Sequence, residues 1–432
     1  MADTISPTSR SPRCSPFSSF SAAIAGMLAA APAGSDLMQF DLLLDDAAFL
    51  LRWLHVVAAM VWVGSAFALL RLDLAMRPRA GDGAAQSLFL NGGAAFRLAR
   101  TAEADPGEPA LHFKFEAYAT WFSGFALICL IYCAEPRLFL IDPQLWDAPP
   151  WAAITLALAL LPGFLLIYEM FFRRTRLEGD AALWALFGLC AALCAGLCLL
   201  FAGRAAFPLI GANLATLMAG NIAHALSPAQ RRRLAALRRG ETPDEAEAKR
   251  VAGRALHNQY LVLPVVFFML SGHAPLLFAG PQRIAVAVLA VAAGFLIRRL
   301  FLQRARGLGW NGRLIAAAAV ALAALLALAW PKPPEDRRAE TAGQAIAQLI
   351  RPGPAAAQAL IDTKCAYCHA AAPLWPGLSR APAGLDFTDG AGVAAHAAEI
   401  LRAAALTSAM PPPGAAPPLD DEDKALLWRA LR

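Results

Sequence analysis

Charged residues are scarce in this chain of 432 residues: they make up 16%, whereas hydrophobic residues make up 58%. A soluble protein needs a larger polar share to cover its surface, so this composition points to a membrane protein. The net charge of +6 would suit a nucleic-acid partner, but the basic residues fall in short clusters between apolar runs. Because that distribution is typical of membrane loops, we expect no nucleic-acid partner.

A disulfide framework is also lacking, although the chain has eight cysteines. Five lie inside apolar segments, where cysteine behaves as a small buried hydrophobe. Three of these, Cys190, Cys194 and Cys198, recur every four residues. Such stripes of small residues usually form helix-packing faces, so we predict no metal there.

Apolar segments long enough to cross a bilayer occur eight times. They lie at 47–70, 115–134, 151–172, 181–203, 207–224, 258–279, 284–301 and 314–330. The fifth is short and carries Asn213, which would suit a tilted or re-entrant segment. With the N-terminus outside, the loops facing the cytoplasm contain 22 Lys and Arg, and the intervening loops contain three. This positive-inside bias predicts that the C-terminus also lies outside the cytoplasm.

Near the C-terminus the chain reads Cys365-Ala366-Tyr367-Cys368-His369. Cys-x-x-Cys-His is the attachment signature of a c-type haem, in which two thiols form thioethers and the histidine ligates the iron. A redox dithiol would give no reason for the histidine, and a zinc site would need two more ligands nearby. Haem c is therefore the predicted cofactor, bound by Cys365, Cys368 and His369. Its attachment outside the cytoplasm agrees with the loop charges.

Met410 is the predicted second iron ligand. It lies on a Pro-rich loop, Ala409-Met410-Pro411-Pro412-Pro413, and the tail holds no other methionine. Small cytochromes c commonly present their axial methionine from such a loop, and a His/Met pair raises the reduction potential. His396 is the rival, but its surroundings are typical of the middle of an ordinary helix, so we interpret it as a surface residue.

The chain therefore divides into four predicted parts. Residues 1–40 form a disordered or signal-like leader, with a misassigned start codon as the alternative, and 41–330 form the membrane domain. A Pro-rich linker, 331–343, leads to a cytochrome c domain at 344–432. The predicted fold is all-α: a polytopic bundle of about eight spans followed by a small α-helical cytochrome c domain.

Two histidines lie within the spans, where ionisable residues are costly and usually functional. His55 is in the first span and His273 in the sixth. The spans run in opposite directions, so both histidines lie roughly 10 Å below the outer ends of their helices. They are candidate ligands of a haem b held between the spans. The alternative is that each bonds a neighbouring carbonyl group.

A second polar group is predicted where the second, fifth and sixth spans reach the cytoplasm. It comprises His112, Lys114, Glu116, His224, His257, Asn258 and Gln259, with Arg97 and Asn91-Gly92-Gly93 in the preceding loop. Amides, cations, a carboxylate and glycines that permit close backbone approach would suit a flat, polar, anionic heterocycle. The alternative is that these residues only anchor the helix ends.

At these residues the chain resembles a known family. Residues 50–432 are similar to the membrane-bound urate oxidases, or urate hydroxylases, that end in a cytochrome c domain. The motifs are Leu51-Arg52-Trp53-Leu54-His55, Trp62-Val63-Gly64-Ser65, Phe113-Lys114-Phe115-Glu116-Ala117-Tyr118, Thr120-Trp121-Phe122-Ser123-Gly124, Ile141-Asp142-Pro143, His257-Asn258-Gln259-Tyr260 with Pro264, Ser271-Gly272-His273, Cys-x-x-Cys-His and Met410-Pro411. One departure is Asn91-Gly92-Gly93-Ala94, where a His-Gly-Gly-Gly-like loop is expected.

The resemblance implies oxidation of urate to 5-hydroxyisourate in purine degradation, with electrons passing through haem c to a respiratory-chain acceptor such as a cytochrome oxidase. The expected location is the lipid bilayer of the bacterial inner membrane, with the cytochrome domain in the periplasm. The candidate catalytic residues are Glu116, His257 and His112, and the candidate substrate-binding residues are Lys114, Arg97, Asn258 and Gln259. The rival function is a non-catalytic electron-transfer subunit that accepts electrons from quinol or a partner dehydrogenase.

Distance raises one difficulty for this function. A cytoplasmic urate site would be separated from an external haem c by about 30 Å of hydrocarbon, too far for one electron transfer. Either a haem b at His55 and His273 relays the electrons, or urate binds on the outer side.

Overall fold

The computed structural model describes residues 34–78, 85–91, 93–99, 104–105, 114–334, 354–376, 378, 380–415 and 418–432. The chain clusters into two units, 1–47 and 48–432, and the second contains the haem motif and all the predicted site residues. Most of the predicted leader and linker, together with residues 335–353, lie outside the described residues. The first helix begins at Gly34, inside the stretch predicted as leader.

Eight described helices are long and apolar enough to cross a membrane, which confirms the predicted number of spans. Their bounds are α1 Gly34–Ala75, α2 Phe115–Leu127, α3 Pro150–Thr175, α4 Gly179–Leu200, α5 Gly203–Gly220, α6 Glu245–Leu270, α7 Arg283–Ala305 and α8 Gly312–Ala329. Large apolar side chains stay exposed on their outer faces, among them Trp53, Phe122 and Trp184. Such surfaces suit contact with lipid.

The fifth span differs from the expectation of a short, tilted or re-entrant segment. A π-helical turn, Asn221–Leu226, and a further helix, Ser227–Arg238, extend α5 without a break. The resulting helical stretch, Gly203–Arg238, has 36 residues and is the most buried of the eight. Burial of the amide nitrogen of Asn213 costs little free energy, because Nδ2 donates to the carbonyl oxygen of Leu209 at 2.8 Å.

Helix α5 lies at the centre of the bundle and packs against α2, α3, α4 and α6. Helix α7 packs against α4, α6 and α8. Close approach between α6 and α7 depends on Gly294, because a Cβ there would lie 2.7 Å from Cδ of Pro264. Another π-helical turn, Ile128–Cys133, continues α2, and short helices at Pro136–Phe139, Ser271–His273 and Pro275–Phe278 follow α2 and α6.

The loops between spans gather at two ends of the bundle. At one end, which we call the arginine-rich end, Lys249 pairs with Glu178 at 2.7 Å and Arg299 pairs with Asp180 at 2.9 Å. At the opposite end the backbone N–H of Ala202 donates to the carbonyl oxygen of Leu140 at 2.9 Å. The C-terminal tail contacts the bundle there, so we call it the tail end.

The loop after α1 contains β-strands, so the prediction of an all-α fold is wrong there. Strands β2, Ala85–Asn91, and β3, Ala94–Ala99, form an antiparallel hairpin, and β1, Arg77–Pro78, pairs with β2. Phe89 faces Phe96 across the hairpin with ring centroids 6.1 Å apart, a cross-strand pair that stabilises a sheet. Since Asn91 pairs with Ala94, the two residues between the strands in the sequence are Gly92-Gly93, a dipeptide that favours such a hairpin turn.

The tail is built on two helices, α9, Pro354–Lys364, and α10, Asp421–Leu431. They pack on each other around Ile361 and Leu427, neither of which is exposed. Between them lie Pro382–Gly384, Gly390–Ala395, Ala397–Ile400 and a π-helical turn, Leu401–Ala405. His396 was predicted in the middle of a helix; instead it separates two short helices, with φ of −114°.

Candidate functional site

Four polar side chains form a buried network near the arginine-rich end. The Tyr168 hydroxyl lies 2.7 Å from Nδ1 of His257. Nδ2 of Asn221 donates to that hydroxyl oxygen at 3.2 Å and to Oδ1 of Asn258 at 2.8 Å, and all four side chains are buried. The hydroxyl oxygen accepts from Asn221, and it donates to Nδ1 of His257 or accepts from it according to which imidazole nitrogen carries the proton.

Three parts of the bundle hold this network together. Tyr168 comes from α3 and both His257 and Asn258 from α6, while Asn221 opens the π-helical turn after α5. Single π-helical turns within α-helices frequently occur at functional sites. The same turn carries His224 to an adjacent cleft.

The cleft opens at the arginine-rich end and has a volume of ≈ 290 Å³. It is lined by residues of α3, the helical extension of α5, and α6, most of them charged: Glu169, Arg173, His224, Ala225, Arg232, Glu247, Arg250, Val251 and Arg254. Four arginines outweigh two glutamates, so the cleft attracts anions. Guanidinium groups pair with planar oxyanions through two parallel hydrogen bonds and stack on flat rings.

Arg254 joins the cleft to the buried network. Its guanidinium group donates to Oε2 of Glu169 at 3.1 Å and lies over the Tyr168 ring, 4.5 Å from the centroid. The ring of Phe172 is 5.5 Å from the same group. Two aromatic faces and one carboxylate therefore fix a cation at the floor of the cleft.

The predicted polar group is divided between several places. His257 and Asn258 belong to the network, and His224 lines the cleft. Lys114 lies over the ring of Phe115 at 5.1 Å from the centroid. Among the described residues that line the cleft, neither Lys114 nor Glu116 occurs.

The remaining members of the group also lie apart from the cleft. Arg97 is on β3 and donates to Gln86 at 3.5 Å, and Oε2 of Glu116 is buried without a hydrogen-bond partner among the described residues. His112 lies outside the described residues. The predicted roles of Glu116, His112, Lys114 and Arg97 stay predictions.

Gln259 faces a different set of helices from its neighbours His257 and Asn258. Its Nε2 donates to the carbonyl oxygen of Ala66 at 3.1 Å, and its Oε1 accepts from Arg298. Arg298 is only 2% exposed, and its guanidinium group lies 4.1 Å from the ring centroid of Phe67. Arg298 was counted among the loop charges, but it is a buried contact between α1, α6 and α7.

Sequence reasoning missed Tyr168, Asn221, Glu169 and Arg254. A tyrosine beside a glutamate inside an apolar span was the available signal, because polar groups at such positions are rarely without a partner. The spacing of Arg250 and Arg254, one helical turn apart, also indicated a cationic face.

The haem motif directly follows α9. Nδ1 of His369 lies 3.0 Å from the carbonyl oxygen of Leu385, so Nδ1 carries the proton and Nε2 is free to bind a metal. The imidazole stacks on Phe387 with centroids 4.9 Å apart. Burial lowers the pKa of His369, although the hydrogen bond to Leu385 opposes the shift. A neutral imidazole oriented through Nδ1 has the properties of an iron ligand.

The two motif cysteines have free thiols. Burial raises the pKa of Cys365 to about 11 and also raises the pKa of Cys368. Met410 packs with Cys365 against the apolar cluster of the tail, and its backbone N–H donates to Ala403 at 2.9 Å. Two thiols, an oriented histidine and a methionine in one apolar domain fit a covalently bound haem. The zinc alternative would require several His, Cys, Asp or Glu side chains close together. The described residues contain no group of three or more such side chains that could hold a metal ion.

The two span histidines have different surroundings. Nδ1 of His55 lies 3.0 Å from the carbonyl oxygen of Thr120 and 3.1 Å from the Ser123 hydroxyl, so α2 orients this imidazole. Gly124 makes room for the ring, because a Cβ there would lie 2.7 Å from its Cε1. His273 is exposed and ends the helical turn Ser271–His273, whose first residue is buried. Their predicted pairing around a haem b stays a prediction.

Comparison with protein families gives one match. The family described as "Urate oxidase N-terminal" matches residues 41–330, the part of the chain that carries the spans, the buried network and the cleft. No curated protein and no solved structure matches the chain.

Proposed function

Because the chain belongs to the urate oxidase N-terminal family, we propose that it oxidises urate to 5-hydroxyisourate in purine degradation, and that urate binds in the cleft at the arginine-rich end. In this reaction the urate monoanion and one water yield 5-hydroxyisourate, one proton and two electrons. The site must therefore hold a flat anion, accept a proton and have an outlet for electrons. One observation supports the cleft most: a cation fixed over aromatic rings at the floor of a largely cationic cavity.

The side chains of the cleft suit these tasks. Arg254 and Arg250 pair with the oxygens of the anion, and the planar guanidinium group of Arg254 stacks on the heterocycle. Glu169, on the cleft wall, is positioned to take the proton. His257 lies behind the cleft wall, where its hydrogen bond with the Tyr168 hydroxyl fixes the ring that supports Arg254. Asn258 completes this hydrogen bonding through Asn221.

Electrons leave through the tail. Cys365 and Cys368 would attach haem c, and Nε2 of His369 and Sδ of Met410 would ligate its iron. When bound, the haem supplies a one-electron acceptor, so each urate requires two successive transfers. A respiratory-chain component such as a cytochrome oxidase would be the final acceptor of these electrons. The oriented imidazole of His369 supports this assignment.

The proposed location is the bacterial inner membrane, with the arginine-rich end in the cytoplasm and the tail in the periplasm. The loop charges support this orientation. It separates urate from haem c by about the thickness of the hydrocarbon core. A haem b relay that uses His55, whose Nδ1 hydrogen bonds leave Nε2 for a ligand, belongs to the same proposal.

The test is to add urate anaerobically to the purified, haem-loaded protein and to record the absorption band of haem c. Reduction is expected with the full chain. Arg254→Gln removes a charge-assisted hydrogen bond worth about 1.5–3 kcal/mol, so kcat/KM for urate should fall roughly 10- to 150-fold. Arg254→Lys should recover part of this loss, because it restores the charge without the planar fork.

Arg239→Gln is the matched control, because Arg239 lies at the same end but pairs with Glu241 outside the cleft. It should leave kcat/KM unchanged. Reduction of the haem by quinol but not by urate would refute the proposal in favour of an electron-transfer subunit. Pyridine-haem spectra that show haem c alone would remove the haem b relay.

A further inference from the structure

The axial-methionine loop of the tail touches the bundle as well as its own domain. Arg204, the second residue of α5, donates to the carbonyl oxygen of Ala409, and its Nη2 lies 3.9 Å from Sδ of Met410. Ala409 is 6% exposed and belongs to the apolar core of the bundle rather than that of the tail. The loop is thus buried against the tail end of the bundle.

A second contact lies further along the same loop. Gly414 has φ of +78°, and a Cβ there would lie 2.8 Å from Cγ of Pro143. Pro143 belongs to Ile141-Asp142-Pro143, a motif to which the proposed reaction gives no role. Glycine at position 414 therefore serves both the backbone conformation and the close approach of the tail to this motif.

The position of Arg204 is unfavourable for its own helix. The N-terminus of an α-helix carries partial positive charge, so a cation in the first turn is repelled by it. The Arg204 side chain is nevertheless half-buried, with one donor directed to the Ala409 carbonyl group. An interaction outside the helix has to compensate for this placement, and the tail loop supplies it.

We propose that Met410 and its flanking residues are the surface by which the tail docks on the bundle, and that Arg204 is a positioning residue that holds the methionine for the iron. The docking part needs only the protein chain, whereas the ligation part rests on the proposed function, which assigns haem c to the tail. Met410 is then on the side of the tail that faces the bundle. The methionine side of a haem held in the tail would therefore face the membrane domain.

The experiment measures hydrogen exchange and the haem potential in the full chain. Arg204→Gln removes the hydrogen bond from the guanidinium group to the Ala409 carbonyl oxygen. Hydrogen exchange of the amides in 401–415 should therefore be at least tenfold faster, while the amides of α10 keep their protection. The same variant should lower the reduction potential of haem c and weaken the methionine–iron charge-transfer band, because the cation beside the sulfur is lost. Arg204→Lys keeps the charge and should preserve the potential better than the exchange protection.

Arg137→Gln is the control, since Arg137 lies at the same end, is exposed and pairs with Asp147 at 3.9 Å. Exchange and potential should match the wild type in this variant. Wild-type exchange and potential in Arg204→Gln would overturn the proposal, as would equal shifts in Arg137→Gln. The exchange measurement is repeated on a Cys365→Ser/Cys368→Ser chain, which cannot attach haem. Docking therefore remains testable even if the tail proves to bind no haem.

Discussion

The hydrogen bond between Tyr168 and His257 allows a quantitative prediction. Tyr168→Phe keeps the ring that packs against Arg254 and creates almost no cavity, so the change is confined to one hydroxyl group. Nδ1 of His257 then remains buried without its 2.7 Å partner, which costs about 1–3 kcal/mol. Asn221 still donates to Asn258, so the cost falls mainly on His257.

A double-mutant cycle separates this cost from general damage. His257→Leu removes the Nδ1 partner of the Tyr168 hydroxyl, which keeps only the hydrogen bond from Asn221, and should destabilise the protein to a similar degree. The double variant replaces both partners by apolar groups, which is nearly neutral when shapes are preserved. We therefore expect the two single losses not to add, with a coupling energy of about 1–3 kcal/mol.

The assay is unfolding in mixed detergent micelles titrated with sodium dodecyl sulfate and followed by circular dichroism. Tyr260→Phe is the control, because this buried ring packs on Phe295 with centroids 5.2 Å apart and lies one turn from His257 on the same helix. It should change the unfolding free energy by less than about 0.5 kcal/mol. Additivity of Tyr168→Phe and His257→Leu within about 0.5 kcal/mol would refute the hydrogen bond.

Two further predictions concern the interior of the bundle and the tail. Gln259→Leu removes the hydrogen-bond acceptor of the buried Arg298 and should lower the unfolding free energy by about 1.5–3 kcal/mol in the same detergent titration. The control is Gln303→Leu, at a half-buried position later on α7, which should have little effect. Equal effects of the two substitutions would contradict the buried contact. Met410→Ala should abolish the methionine–iron charge-transfer band and lower the haem c potential while leaving the haem attached; absence of this band from the wild type, with a potential that Met410→Ala does not change, would show that another side chain, such as His396, ligates the iron.

Features determined by local sequence could be predicted. Eight apolar runs predicted eight spans, because span length depends only on consecutive residues. The haem motif is likewise contiguous, and its role in binding haem stays a prediction. The helical extension after α5 was missed because Ser227–Arg238 is polar and basic; sequence hydropathy detects only the apolar part of a helix that continues beyond the membrane.

The site itself could be predicted only in part. His257 and Asn258 were singled out, but Tyr168 is 89 residues from His257 and Asn221 is 37 residues from Asn258. Local periodicity contains no information about which distant helix a side chain meets. Gln259 illustrates the same limit: it adjoins Asn258 in sequence, yet the helical rotation of about 100° per residue turns it toward Arg298 instead of the cleft.

The three π-helical turns in the described part of the chain have a consequence for how its length can change during evolution. The first is Ile128–Cys133, the second carries Asn221 and His224, and the third contains Ala403, whose carbonyl oxygen accepts from the backbone N–H of Met410. A π-helical turn accommodates one more residue than the α-helical turn it replaces. Single-residue insertions and deletions are therefore absorbed at these three places while the helix on either side keeps its packed face. The positions that carry the chemistry are thus also those where the length of the chain is least constrained by the bundle.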